Sequence, residues 1–439
     1  MTGPATSLGV RAVLRIADYR RVWAAQAISD LGDGLTNLTL FLVVLRLTGS
    51  TAAIALMAIA LAVPTIVVGP IAGVFVDRWD RRRIMLASDL LRAAIVLGFI
   101  LVGSADRLPL LYLLAIAHAT VGTFFGPARM ALVPRIVPAP GLMTANSLAQ
   151  MTRVIAGVVG SSLAGVIAGV AAVTWPAFVA DAATFVASFI LVLGVRTSAR
   201  PEAASAGQPE AGDSATGLRR LRASLRGLRA SLAEGLVLVL RSPVLLGTML
   251  GAGVTMLGLG AVNVLFVPLF VRELALPVTW LGVVDIAQTV GMVLAAGLTA
   301  TIAARVRPTR IVVVGLAGLG LFVGLIAGAA EIWQLALLVF VVGWFVTPLE
   351  AALATIIQTE ADDARRGRVA STLHAVMGAA SVLSMALAGV FGDVVGVRNA
   401  FVFAGIVVGS AAVVAAIAFR ATPAPVPVPE AAVAAGPSA

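Results

Sequence analysis

Gln26, Asp30, Asp33 and Asn37 follow one another at steps of four, three and four residues. On a helix that spacing places all four on one face. Their neighbours are almost all apolar, so the four make a polar stripe on a hydrophobic segment. Such a stripe can bind and release protons and can hydrogen-bond a polar solute. Asp33 lies roughly 15 Å along the helix from Trp23, at about 1.5 Å per residue. Gly32 and Gly34 flank it and predict a local break that admits solvent. The competing reading is a structural hydrogen bond from Asp33 to a neighbouring helix. Asp89 and Arg92, three residues apart, are spaced to pair with each other. Asn263, Arg153, Asp181, Asp285 and Gln288 are further polar groups inside apolar segments. His118 and His374 are far apart; they could shuttle protons, and a hydrogen-bonded core role is the favoured expectation for each. Cysteine is absent, which excludes disulfide, thiolate and zinc–cysteine chemistry, and no metal site is expected.

The segments that carry these groups belong to a chain of 439 residues, 60% hydrophobic and 12% charged. The charged share is about half of the roughly 25% usual for a soluble domain. Mean hydropathy is +1.04. A soluble enzyme of this size needs more charge to cover its surface, and a disordered chain needs less apolar mass. An outer-membrane barrel would alternate polar and apolar residues instead of showing long apolar runs. What remains is an all-α polytopic membrane protein. Twelve apolar segments cover roughly 23–46, 52–75, 84–104, 109–133, 144–170, 174–195, 243–270, 279–304, 309–329, 332–356, 369–392 and 398–419. Each is long enough to cross about 30 Å of hydrocarbon.

Arginine sets the expected orientation. All 31 basic residues are arginine, a composition that fits a bacterial source with GC-rich codons. They crowd the N-terminus, the 76–83 loop, the 196–241 linker, the 305–310 and 365–368 turns and Arg420. The opposite side carries only Arg46, Arg107, Arg272 and Arg398. The positive-inside rule puts both termini in the cytoplasm of a bacterial inner membrane. The net charge of +10 is therefore a topology signal, and no nucleic-acid partner is expected. Trp175, Trp280 and Trp333 at one face, with Trp23 and Trp79 at the other, make an interfacial aromatic belt.

The spans divide six and six. Residues 1–195 form one bundle and 242–420 the other, joined by the 196–241 linker and followed by a disordered tail at 421–439. Within the linker, 218–234 has leucines at steps of three and four with arginines between. That is a basic amphipathic helix, suited to an anionic inner leaflet or to packing on the protein's own cytoplasmic face. The two bundles look alike. Gly32, Gly34, Asn37 and Arg46 of the first span match Gly258, Gly260, Asn263 and Arg272 of the seventh at one constant offset. The fourth and tenth spans share Val, Gly, Phe, Pro, Ala and Leu in register, from Val121 and Val342 onward. Pseudo-symmetry of two six-helix bundles follows. Arg129 and Glu350 then occupy the same repeat position with opposite charge. A salt bridge between them would close the cytoplasmic gate when the opposite side is open; the competing reading is that each binds within its own half.

Between the second and third spans the chain reads Gly73-Val-Phe-Val-Asp77-Arg78-Trp79-Asp80-Arg81-Arg82-Arg83. This resembles the loop signature of the major facilitator superfamily, G-x-x-x-D-[RK]-x-G-[RK]-[RK]-[RK], with Asp80 in place of the second glycine. The segments RRVWAAQAISDLGDGLTNLTL, VDRWDRRRIMLASDLLRA, FFGPARMALVPRIV and RRGRVASTLHAVMGAASVLSMALAGVFGDVVGVRNAFV extend the resemblance to nearly the whole chain. They look like the branch with macrolide-efflux proteins, enterobactin exporters and mycobacterial tetracycline/aminoglycoside efflux pumps. The resemblance implies a conformational switch in the loop of Gly73, Asp77, Arg78 and Arg81, in which Asp77 meets the eleventh helix and Arg81 completes a charge relay. It also implies a central cavity lined by the first, fourth, seventh and tenth helices. Those helices carry Asp33, Asn37, Arg129, Asn263 and Glu350.

The expected function is proton-coupled export of an amphipathic small molecule, such as a drug or siderophore, by alternating access. The energy source would be the proton gradient, with no cofactor, and the protein is expected to be a monomer. The alternative is a lipid or lysolipid transporter of the same fold, which the basic linker helix would suit. An intramembrane transferase needs an aspartate cluster for metal or a compact histidine motif, and neither is present. A non-transporting receptor is disfavoured by the retained loop signature and the buried carboxylates.

Overall fold

The computed structural model describes residues 8–76, 78–170, 174–197, 233–360 and 363–420. Asp77, the tail, and the 218–234 stretch but for its last two residues lie outside them. Among the described residues, twelve helices are long and apolar enough to cross a membrane. In chain order they are α1 (Ala17–Thr48), α2 (Thr51–Val76), α3 (Arg81–Gly98), α4 (Leu108–Ile136), α5 (Leu142–Val170) and α6 (Trp175–Leu193). The second set is α7 (Pro243–Pro268), α8 (Leu281–Arg305), α9 (Pro308–Leu325), α10 (Ile332–Glu360), α11 (Asp363–Val394) and α12 (Val397–Arg420). A short helix, Val10–Arg15, precedes them, and residues 233–241 form another before α7.

Local chemistry explains where the spans begin and end. Gly49 closes α1 at φ +63°, the left-handed conformation that glycine enters without a Cβ clash. Asp80 opens α3, its carboxylate accepting the Arg83 amide at 3.0 Å. This is the one residue at which the 76–83 loop departs from the family signature. An aspartate is there because it satisfies an otherwise orphaned amide of the first turn. Ser242 does the same for α7, accepting from Leu245, with Pro243 as first helical residue.

The packing pattern repeats between the halves. In the first, α1 packs on α5 and α6, α4 on α2 and α3, and α3 on α6. In the second, α7 packs on α11 and α12, α10 on α8 and α9, and α9 on α12. Each pair of one set is the other pair advanced by six spans. The halves meet through α2 with α11 and α5 with α8, which are also equivalent pairs. Small residues set how closely the helices approach. A Cβ on Gly160 of α5 would run into the Leu31 carbonyl of α1, and one on Gly34 would sit 2.6 Å from the Gly157 carbonyl. Without a hydrophobic force between helices in lipid, such close backbone contact carries much of the association.

The joint between the halves has a side. At the end opposite the termini, Asp393 of α11 accepts from the Ser50 hydroxyl at 2.6 Å and from the Thr51 and Ala52 amides at 2.7 and 3.1 Å. Arg272 donates to the Gly49 carbonyl. Ser161 of α5 donates to Asp285 of α8 at 2.6 Å. Gly165 and Gly169 of α5 leave room for the backbone and side chain of Val278 and Thr279.

Candidate functional site

A cleft of about 610 Å³ opens among the helices of the first half. Gln26, Asp30, Asp33 and Asn37 all line it, so the polar stripe of α1 faces a single space. Thr65 and Gly69 of α2, His118 and Gly126 of α4, and Arg153 and Gly157 of α5 complete its wall. The inter-half joint lies beyond the Asn37 end, and Gln26 and Arg153 mark the end nearer the termini.

Asp33 is the central group. Its side chain is 31% exposed to the cleft and forms an ion pair with Arg92 of α3. The guanidinium also reaches Ser29 at 3.4 Å and lies 4.1 Å above the ring centroid of Phe185 on α6. His118 is buried beside the pair, its ring near Phe99 and Phe185, with Nε2 3.9 Å from Asp33. α1 runs unbroken from Ala17 to Thr48, so the expected break at Gly32 and Gly34 does not occur. The two glycines serve contact instead. Gly32 admits Asp181 and Thr184 of α6, and Gly34 admits α5.

Two further carboxylates lie behind Asp33, both fully buried. Asp181 accepts from Thr36 at 2.5 Å and from Thr184 at 3.0 Å, one hydroxyl on each oxygen. Asp89 accepts from Ser188 of α6 at 2.6 Å through Oδ2, while Oδ1 has no hydrogen-bond partner among the described residues. The pairing expected between Asp89 and Arg92 is therefore absent, because Arg92 crosses to α1 instead. Toward the termini, Gln26 donates to Asp30 at 3.0 Å and to the Ala149 carbonyl at 3.3 Å. Arg153 stands 3.9 Å from Asp30.

The remaining sequence candidates lie elsewhere. Arg129 is buried near Tyr19, Asp30 and Arg153, within its own half. Glu350 and Asn263 are exposed on α10 and α7 and do not line the cleft. Arg129 and Glu350 form no ion pair with each other here. Arg81 has its Nε buried without a partner among the described residues, and Gly73 has open space around it. Arg78 is exposed. His374 is bonded to the Ala370 carbonyl at 2.8 Å. No group of three or more metal-binding side chains occurs among the described residues.

The profile of the Major Facilitator Superfamily matches residues 22–256 and again 248–438. The chain belongs to the Major Facilitator Superfamily. It is a transporter rather than an enzyme. Among members of the superfamily, the MFS-type transporter YfiS of Bacillus subtilis is 27% identical over 392 residues, covering 87% of this chain and 88% of its own. The multidrug efflux pump Tap of Mycobacterium tuberculosis is 29% identical over 388 residues, 86% of this chain and 87% of the pump. Macrolide efflux protein A of Streptococcus pyogenes is 28% identical over 151 residues, 34% of this chain and 37% of that protein. The fold is shared with the solved peptide transporter POT at a TM-score of 0.73 and 14% identity, covering 94% and 99% of the two chains. A bacterial homologue of the human lysosomal transporter Spinster gives 0.70 at 13% identity, covering 92% and 96%.

Sequence reasoning missed Asp393 and the crossing of Arg92. Asp393 sits in the last turn of α11, where its own helix dipole opposes a negative charge. That mismatch was the available signal. An acid so placed is held by some other helix's N-terminus. The crossing of Arg92 had no such signal, since the i,i+3 spacing to Asp89 offered a local partner.

Proposed function

We propose that this superfamily member is a proton-coupled exporter of an amphipathic small molecule, working by alternating access in a bacterial inner membrane. One observation carries the reading. Asp33 is both part of the cleft wall and the partner of a buried arginine. A proton arriving from the cleft therefore competes with Arg92 for the same carboxylate. Protonation removes an ion pair between α1 and α3, which links the charge state of the cleft to helix packing. The efflux relatives support export as the direction, and the cleft's mix of carboxylates, Asn37 and apolar wall suits an amphipathic solute.

Arginine distribution supports cytoplasmic termini. On that orientation the joint at Asp393 closes the external side and the cleft faces the cytoplasm. Arg129 and Glu350 are then apart because their gate is open. The loop residues Gly73, Asp77, Arg78 and Arg81 would act in the opposite state, where the cytoplasmic side closes.

The test is transport in proteoliposomes under an imposed pH gradient, wild type beside Asp33→Asn. Gradient-driven accumulation is expected in the wild type and its loss in the variant. Unchanged gradient-driven transport by Asp33→Asn removes Asp33 as the coupling acid. Transfer of a fluorescent lysolipid between leaflets, with no movement of a cationic dye, would favour the lipid-transport alternative.

A further inference from the structure

One guanidinium in the first half stands among three carboxylates. Arg92 is paired with Asp33 across the α1–α3 contact. Its Nε is buried and has no hydrogen-bond partner among the described residues. Three residues earlier on the same helix, Oδ1 of Asp89 is equally buried and equally unpaired. An orphan donor and an orphan acceptor therefore sit one turn apart on α3, within reach of each other by side-chain rotation. Asp181 offers no such place, because Thr36 and Thr184 already occupy its two oxygens.

We propose that Arg92 is an exchangeable counter-ion, holding Asp33 while that carboxylate is charged and re-pairing with Asp89 when Asp33 takes up a proton. This rests on the proton-coupled reading of Asp33. The proton comes from the cleft and stays on Asp33. Arg92 and Asp89 keep their charges, so only the pairing changes. A buried guanidinium left without an anion is costly, and Asp89 supplies the replacement without a second proton movement. Phe185 and Ser188 are neighbours on one face of α6, the ring beneath the guanidinium and the hydroxyl on Asp89. The ring thus lines the path between the two carboxylates.

The charged and titratable groups facing the pair are few. α1 brings Asp33 and Asp30, α3 Asp89 and Arg92, α4 His118, α5 Arg153 (held toward Asp30) and α6 Asp181. The portion of α2 in the cleft wall brings Leu61, Thr65 and Gly69, none of which titrates. When Arg92 leaves Asp33, α1 and α3 lose their ionic tie, the new pair lies within α3, and the existing hydrogen bond from Ser188 keeps Asp89 on α6.

A melting cycle on the full chain in nanodiscs tests this without any transported substrate. The proteins are wild type, Asp33→Asn, Asp89→Asn and the double variant. Asparagine at 33 imitates the protonated carboxyl. Exchange makes Arg92 depend on Asp89 in that background. The melting-temperature loss from Asp89→Asn is then expected to be about twofold larger there than in the wild type, a non-additivity of interacting sites. Asp89→Glu in the same background is expected to recover most of the loss. Equal losses in both backgrounds would overturn the proposal, as would an excess of the same size for Asp181→Asn, which would report general charge repulsion. If Asp33→Asn does not yield folded protein, Asp33→Ser removes the same charge and takes its place. The outcome is independent of the proteoliposome experiment. Loss of the cycle's non-additivity with intact proton coupling rejects only the exchange, and failed coupling with intact non-additivity rejects only the transport reading.

Discussion

The carboxylate of Asp393 accepts the backbone amide of Thr51 at 2.7 Å, tying the last turn of α11 to the first turn of α2 across the two halves. Ser50 and Ala52 donate to the same carboxylate. A negative charge thus caps a helix N-terminus that belongs to the other half. The resemblance implied a contact of the same kind at the opposite end, from Asp77 to α11. The structure describes the one at Asp393.

Removing that cap shifts the balance between conformations. Asp393→Ala is expected to cost the closed end about 1 kcal/mol, or about a fivefold change in population. The chain has no cysteine, so spin labels on cysteines introduced at Ser104 and Glu331, in loops at that end, report the distance cleanly. A longer-distance population should grow in the variant. An unchanged distance distribution would show that the cap does not hold the halves together.

Close packing of α1 on α5 gives a second expectation. Gly160→Ala places a methyl group against the Leu31 carbonyl, and overpacking of this kind costs about 1–3 kcal/mol. A lower melting temperature is expected in detergent. Gly297→Ala on α8, where nothing lies within 4 Å, is the control and should melt no lower than the wild type, since alanine favours a helix interior over glycine.

At the start of α3, Asp80→Ala is expected to cost about 1 kcal/mol, while Asp80→Gly, the residue of the family signature, should cost only about a few tenths. Thermal unfolding of the two variants side by side measures the difference. Equal melting of both would mean that the Arg83 amide finds another acceptor.

The repeat-related pair Arg129 and Glu350 predicts charge complementation. Arg129→Glu and Glu350→Arg should each reduce transport, and together they should restore part of it. No recovery in the double variant would assign Arg129 wholly to its neighbours Asp30 and Tyr19 in the first half.

Most of the architecture was legible in the residues because lipid allows so few solutions. A run of about 20 apolar residues has to be a helix. The four-residue stripe of α1 faces a single cleft because helical periodicity alone aims it. What periodicity does not carry is partnership between helices. Arg92 had a plausible mate three residues away and takes one on α1. Gly32 and Gly34 looked like a weak point in α1 and are contact surfaces, since glycine in a bundle more often removes a side chain than frees a backbone. Asn37 and Asn263 matched in the repeat yet have different surroundings, since Asn37 lines the cleft of the first half and Asn263 is exposed on α7.

That difference between the halves reaches beyond the coupling chemistry. α1, α3, α4, α5 and α6 carry charged or titratable groups deep within the bundle, whereas the middle turns of α7, α9 and α12 carry none. Two copies of one ancestral unit have thus taken separate trades. A substitution in the middle turns of these three helices changes shape and greasiness without touching an ion pair. New solutes are therefore most cheaply accommodated there, with the machinery that couples to the gradient left intact. Laboratory selection for a changed substrate range should collect its substitutions in α7, α9 and α12 before it touches α1 or α3.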